Sequence, residues 1–463
     1  MTSRERLLSL GAAAKKRGGL DLLVRYNPVP RRAAERVMEA FRAADLTARH
    51  HLSERLAANV VKAARRTRYG AAQDPKLTKW PTLNGATLRD RPNDFVVPGP
   101  LRIPAATGGT GGMPVRLCRS FSSVAAEQAF LDDMLRPLGM SWASNRVATL
   151  RPHATKSTLE LAPPFGVWSH SGQRLTLSAP HLSAATLPWF LQTIDAFRPD
   201  ILWATPTTCA NLMVLMHRTG DHLQRPIPVV LTSSARLEAS LRQQMERQWG
   251  ARVVDYYSQA ERVCLAVSHC AGEFWFQPAY GKVELIPDRV PAEDGQSRAA
   301  VLATGFWNAA MPLVRYHTGD YAIVPRGASV ETLEAIALGV QPFLGVAGRS
   351  DEYLITPDGT RVAGLNCIPW EVANLLQAQI VQEAVDDVRV RVLTLPRFSE
   401  TDGRKLEANA RAKIPTSMRI RIETVQELEV GPHGKTPFVI RRPGKATISA
   451  TSRVRESEVV HAA

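Results

Sequence analysis

Cysteine is scarce in this chain: five in 463 residues, odd in number and scattered at Cys118, Cys209, Cys264, Cys270 and Cys367. That pattern argues against a disulfide framework and for reduced thiols. Long apolar runs are missing too, since no stretch approaches the roughly 18–20 uncharged residues that cross a bilayer. The start, Met1 to Lys16, carries charges but no apolar stretch long enough for a secretory signal. The expectation is therefore a cytoplasmic protein without a transmembrane segment. Acidic residues are outnumbered, 43 against 58 Lys and Arg, for a net charge of +15. Residues 1–100 hold +11 of it, with 20 Lys or Arg against 9 Asp or Glu. These basic residues lack interleaved aromatics and any zinc-finger or RNA-binding signature, so no nucleic-acid partner is expected. They read as solvated helical faces, with peripheral contact to an anionic membrane left open. No internal repeat is present.

What is there is a soluble-type composition, 44% apolar and 22% charged, in a chain longer than one core usually supports. Two or three domains are expected. From Arg4 to about Arg68, the spacing of Leu7, Leu8, Leu20, Val37, Phe41 and Leu52 suits amphipathic helices, broken at Asn27-Pro28-Val29-Pro30. Residues 70–100 read as loop, and Leu101–Ala106 as a short strand. Further on, Leu187–Ile194 (helix) precedes Ile201–Pro206 (strand). A second unit follows: Val229–Thr232 (strand), Arg236–Gly250 (helix) and Ala251–Tyr256 (strand), with Gly250 placed as a C-cap. Such alternation predicts parallel sheets, whose ligands gather at the strands' carboxyl ends. Residues 321–349 read as short strands. A smaller unit then follows, with a helix near Trp370–Ile380, a strand Val388–Leu393, a helix around Lys405–Lys413 and a strand Arg419–Thr424. The tail beyond residue 443 reads as disordered.

Four stretches carry possible chemistry. After the apolar run Ala299–Ala303, the segment Thr304–Asp320 ends in Thr318-Gly319-Asp320. There the glycine frees the backbone for a turn, and a carboxylate at a strand end can accept two hydrogen bonds from a ribose diol; an ordinary turn is the alternative. Thr107 to Pro114 has four glycines and two hydroxyls in eight residues. It is neither a Walker A loop nor Gly-x-Gly-x-x-Gly. It reads as a flexible turn or as a loop whose N–H groups approach phosphate, and the nearby Arg116 favours the latter. Asp255 to Arg262, at a strand's carboxyl end, offers Tyr257 to stack on a base and Glu261 to hold magnesium, or else a core tyrosine and a helix-start carboxylate. Gly434-Lys435-Thr436 offers a lysine on a glycine-flanked loop, either a mobile cation or a solvated turn residue.

In combination and order these stretches resemble the adenylate-forming enzymes, specifically the phenylacetate-CoA ligase and capsule-biosynthesis branch. The likeness runs from about residue 50 to 442 and includes Gly348-Arg349-Ser350-Asp351 as the family's hinge motif. It implies an α/β fold: a large N-terminal adenylation domain of sheets sandwiched by helices, and a small mobile α+β C-terminal domain. The boundaries expected are a helical lead-in at 1–100 belonging to the large domain, a core at 101–347, a hinge at 348–351 and the small domain at 352–442.

It also implies an ATP-dependent acid ligase that forms an acyl-adenylate, releases pyrophosphate and passes the acyl group to CoA, an amine or a hydroxyl. By carry-over, Lys435 stabilises the adenylation step and Asp351 is the pivot. Asp320 and Arg349 hold the ribose, Tyr257 and Ser258 the adenine side, and Thr107, Gly108, Gly109, Thr110 and Gly111 the phosphates. Glu261 is the magnesium ligand, with Thr110 as a further contact. Family members often pair, so a homodimer is an expectation as well. The chain departs from the family at Ser258, Ala260 and His317, and by an extra residue at Gly112-Met113. The competing class is a non-catalytic protein binding anionic surfaces. Cys264, His269 and Cys270 read as structural residues rather than a zinc site. His153, His170, His181, Trp168 and Trp203 are candidates for the acid pocket.

Overall fold

The computed structural model describes residues 23–99, 102–107, 115–151, 155–157, 160–288, 296–347, 353–359, 361–362, 365, 368–369, 372–431 and 436–442. Two helices come first, α1 (Pro28–Ala43) and α2 (Leu46–Ala64). The Asn27-Pro28 step that looked only like a breaker is a start signal. Asn27 Oδ1 accepts from Val29 N at 3.1 Å, and Pro28 occupies the first turn, where its missing N–H costs nothing. Asp45 caps α2 through Ala48 N at 2.8 Å. A short helix α3 (Gly85–Asp90) leads to the hairpin of β1 (Ile103–Ala106) and β2 (Arg116–Arg119), whose connection contains the glycine-rich stretch. Helix α4 (Phe121–Leu135) follows directly.

The main sheet has eight strands: β3 (Val147–Arg151), β4 (Gly166–Ser169), β5 (Arg174–Ser178), β6 (Ile201–Ala204), β7 (Val229–Ser233), β8 (Arg252–Ser258), β9 (Leu265–Cys270) and β10 (Glu273–Phe276). Their order is β10-β9-β8-β7-β6-β3-β5-β4, and β5, β3, β6, β7 and β8 run parallel. Helices α5 (Leu187–Phe197), α6 (Pro206–Thr219) and α7 (Ala239–Trp249) make the crossovers. Gly250 terminates α7 in the left-handed region at φ 63°, as its position predicts. One face of the sheet packs on α5, α6 and α7 through Leu150, Leu177, Phe190 and Met245, and the other on α1 and α4 through Ile201, Leu231, Phe130 and Phe41. Strands covered on both faces read as apolar runs without alternation.

A second, antiparallel sheet follows: β11 (Gly281–Pro287), β12 (Gln296–Gly305), β13 (Tyr316–Pro325) and β14 (Gly345–Ala347), in that order. Here the expected turn at Thr318-Gly319-Asp320 is corrected. The three residues lie inside β13 as a bulge, opposite the register step between Ala300 and Leu302. Gly319 takes φ 81°, and the Thr318 hydroxyl donates to Val301 O (3.0 Å) while accepting from Asp320 N (3.1 Å). Helix α8 (Val330–Ala337) stands where only short strands were expected.

The last unit has its own core, built from Leu354, Ile380, Val390, Leu406 and Met418 among others. It contains β15 (Leu354–Ile355), β16 (Arg361–Val362), β17 (Leu375–Ala384), β18 (Asp387–Thr394), α9 (Glu400–Arg411), β19 (Arg419–Thr424) and β20 (Val439–Arg441), with a sheet ordered β19-β18-β17-β20. The helix expected near Trp370–Ile380 is overturned by β17. Eight successive residues, Leu375–Gln382, are buried, because one side belongs to the local core and Leu376 on the other joins the core under α5, α6 and α7. Leu393, Leu395 and Leu428 join that same cluster, so the last unit sits on the large one through an apolar patch. Among the described residues, no helix is long and apolar enough to cross a membrane.

Candidate functional site

At its carboxyl end β8 delivers Tyr257 and Ser258 and turns through Gln259–Glu261 into β9. The β13 bulge brings Asp320 against it from the second sheet. The Tyr257 hydroxyl donates to Asp320 Oδ2 at 2.8 Å. A reciprocal bond runs the other way: Tyr316, also on β13, donates to Glu261 Oε1 at 2.7 Å. Two tyrosine–carboxylate pairs thus lock the β8–β9 turn to the second sheet. Burial first, and the Asp320 charge second, push the Tyr257 phenol well above its ordinary 10, so it remains a donor at neutral pH.

The turn is fixed from behind. The Gln259 amide bonds to Cys264 at both ends, Nε2 to Sγ at 3.2 Å and Oε1 from the backbone N at 3.4 Å. Arg119 Nη2 donates to Ala260 O at 3.2 Å. Arg262, in the left-handed region at φ 58°, reaches Ser123 O at 3.0 Å and the Glu127 carboxylate at 3.5 Å, and Tyr280 donates to that same carboxylate. Gly281 and Gly305 face each other across β11 and β12 directly under the turn. A Cβ on Gly281 would stand 2.1 Å from Val263 O, and one on Gly305 2.4 Å from Arg262 O. Only glycine admits the backbone this close.

These groups open onto one cavity of about 1360 Å³ whose walls include Thr107, Tyr257, Glu261 and Asp320 from the large unit, and Ala378 and Thr436 from the last one. Thr107 is tied at the base of the glycine-rich stretch, its N donating to Val115 O (3.0 Å) and its hydroxyl accepting from Val115 N (2.9 Å). The sequence-predicted residues Thr107, Tyr257, Ser258, Glu261 and Asp320 therefore meet in one cleft. Gly108, Gly109, Thr110, Gly111, Arg349, Asp351 and Lys435 lie outside the described residues, as do His153 and the tail at 443–463. Thr436, the residue after Lys435, is on the cleft wall.

Other expected pocket residues are placed elsewhere. His181 is buried, bonded to Ser178 Oγ (2.7 Å) and Ser157 O (3.1 Å) and stacked on Phe165. His170 lies on a tight turn beside Ser169, and Trp168 packs edge-on to Phe197. Trp203 lies under Arg151 rather than on the cavity wall. The Cys264 thiol is pushed up to about 12 by burial, while His269 and Cys270 are exposed at the end of β9. Among the described residues, no group of three His, Cys, Asp or Glu is arranged to hold a metal.

The sequence reading missed Arg151, Asp255 and Glu238, all on the cavity wall. Burial raises the Asp255 carboxyl from 3.8 to about 6, against the pull of the Thr232 hydroxyl (2.7 Å) and Arg242. Burial likewise raises Glu238, against Arg236. The signal that could have found them is a charged residue within or ending an otherwise apolar strand, or opening the helix after it.

A large unit built on a mostly parallel sheet, a smaller C-terminal unit and a ligand-sized cleft bordered by both make up the architecture of this chain. Residues 354–442 match the family described as the CapK C-terminal domain. Phenylacetate-coenzyme A ligase of Escherichia coli (strain K12) is 25% identical over 317 residues, which is 64% of this chain and 65% of that protein, just under two thirds of its length. Protein CapK of Staphylococcus aureus is 20% identical over 351 residues, 73% of this chain and 74% of that one. Among solved structures, 2-hydroxyisobutyryl-CoA ligase in the postadenylation state with R3-HIB-AMP shares the fold, with a TM-score of 0.57 at 15% identity, covering 85% of this chain and 89% of that one. The resemblance to the phenylacetate-CoA ligase and CapK branch, and the α/β fold it implies, are borne out.

Proposed function

We propose that this chain activates a carboxylic acid with ATP, forming an acyl-adenylate and releasing pyrophosphate, and then transfers the acyl group to CoA or another nucleophile. The observation that carries this is the single cleft in which Tyr257, Asp320 and Glu261 share walls with Thr436, the neighbour of Lys435. The oxygen of the acid's carboxylate attacks the α-phosphorus, and the bond to pyrophosphate breaks. Negative charge gathers on the phosphoryl oxygens in that step, which a cation from the last unit offsets most strongly in a water-poor cleft.

In this proposal Asp320 and Arg349 hold the ribose, Tyr257 and Ser258 border the base, and Thr107 to Gly111 enclose the phosphates. Lys435 supplies the cation and Asp351 the pivot. Glu261, a single carboxylate beside substrate phosphates, is the kind of donor magnesium takes, with Thr110 as a further contact. Its carboxylate is oriented by Tyr316. The boundaries at 101–347 and 352–442 with a hinge at 348–351 belong to the proposal, supported by the separate core around Leu354, Val390 and Leu406. A smaller unit that rotates lets one cleft serve both half-reactions. The test is carboxylate-dependent pyrophosphate release from ATP by the full chain: it is expected from the wild type and lost in Lys435→Ala. A wild-type chain that releases none with any acid overturns the proposal.

A further inference from the structure

The main-sheet wall of the cleft, to the side of Tyr257, changes character along each strand. On the sheet face toward α4, β3 runs from Val147 through Thr149 to Arg151, and β7 from Val229 through Leu231 to Ser233. The β6 row begins at Ile201 and Trp203, and Thr205 follows the strand end. Sheets covered on both faces are apolar inside, so a row that turns polar at its carboxyl ends marks where a polar ligand lies. Thr149 and Thr176, paired in register across β3 and β5, are half-buried and line the cavity.

Arg151 is the charged member of this row. Its guanidinium lies over the Trp203 ring, 4.4 Å from the centroid, and donates to Ser234 Oγ at 2.5 Å. Among the described residues, no carboxylate lies within ion-pair distance of it. An aromatic platform and one hydrogen bond fix the plane of the fork, whose five N–H donors exceed what Ser234 takes. Ser234 itself holds φ 73°, a left-handed conformation uncommon for serine, at the carboxyl end of β7. β3 is three strand spacings from β8, roughly 14 Å, so Arg151 stands well to the side of Tyr257.

Resting on the acid-activation proposal, we infer that the acid is a polar one carrying a second anionic group, a carboxylate that Arg151 binds while Thr149 and Thr176 meet its hydroxyl or carbonyl oxygens. An aryl or alkyl acid would bury these groups without partners, and a site built to pair polar groups rejects a ligand lacking them by large factors.

The experiment measures pyrophosphate release by the full chain with ATP and magnesium. The acids are dicarboxylates from malonate to adipate, malate and tartrate, beside butyrate, hexanoate and phenylacetate. The expected result is a kcat/KM roughly tenfold or more higher for the best dianion than for a monoacid of equal length. Arg151→Met is expected to lose about 100-fold toward that dianion, chiefly through KM for the acid, with KM for ATP unchanged. Arg151→Lys keeps the charge and is expected to retain the order of preference. An apolar monoacid as best substrate, or an Arg151→Lys or Arg151→Met effect that is equal for all acids or falls on KM for ATP, overturns the inference and leaves acid activation standing. No pyrophosphate with any acid overturns both.

Discussion

Tyr316 donates to Glu261 at 2.7 Å, four residues before the Asp320 that receives Tyr257, so one strand both gives and takes a tyrosine–carboxylate bond. Removing one donor leaves a half-buried carboxylate short of a partner, at about 1–3 kcal/mol. Tyr316→Phe is therefore expected to weaken magnesium affinity, raising the magnesium concentration needed for half-maximal pyrophosphate release. Asp320→Ala is expected to abolish ATP binding measured by calorimetry, whereas Tyr257→Phe weakens it about tenfold. Tyr257 stays protonated because its raised pKa lies above 10, so ATP affinity should not fall between pH 8 and pH 9.5 on its account.

Asp255 gives stability a calculable pH dependence. Its carboxyl rises from 3.8 unfolded to about 6 folded, so the folded state holds the proton more tightly. The contribution is fully present below pH 3.8 and is lost as pH rises through 6, a drop of about 3 kcal/mol by linkage. Asp255→Asn removes that drop. In urea titrations its stability relative to wild type should improve between pH 4 and pH 7; no change with pH would contradict the assignment.

Gly305→Ala places a methyl against the Arg262 carbonyl, and Gly281→Ala one against that of Val263. Both obstructions are backbone, so neither yields as a side chain would. Each variant should lose about 1–3 kcal/mol of stability. Each should also lose pyrophosphate release disproportionately, because the displaced turn carries Glu261. Thermal unfolding and initial rates, compared for the two variants, check this.

Gln377 on β17 donates to Thr207 on α6 at 2.7 Å, a buried bond between the two units. Thr207→Val leaves that amide unpaired, at about 1–3 kcal/mol. Hydrogen exchange at the amides of β17 should accelerate in the variant, while exchange in β6 and β7 stays slow.

The alternating units of the main sheet were legible because Gly250 and the apolar runs at Ile201 and Val229 signal locally. The cleft residues were legible as ordered motifs, Tyr257 to Glu261 and Thr318 to Asp320. What escaped lacked a local signature. β17 is covered on both sides, so its Leu375–Gln382 run has no period of two and passes for a helix. The Gly319 bulge looks in sequence like any Thr-Gly-Asp turn, since only the strand opposite distinguishes them. Arg151 ends one strand, and its role depends on Trp203 and Ser234, 52 and 83 residues away in sequence.

The leucines that β17 and β18 press into the large unit, Leu376 and Leu393, have a thermal consequence. Any swing of the smaller unit must wet them, so its opening carries a positive heat capacity, and apolar contacts of this kind loosen on cooling. The free energy of such a parting would then curve with temperature instead of changing steadily, and turnover limited by it would follow a bent rather than a straight Arrhenius line.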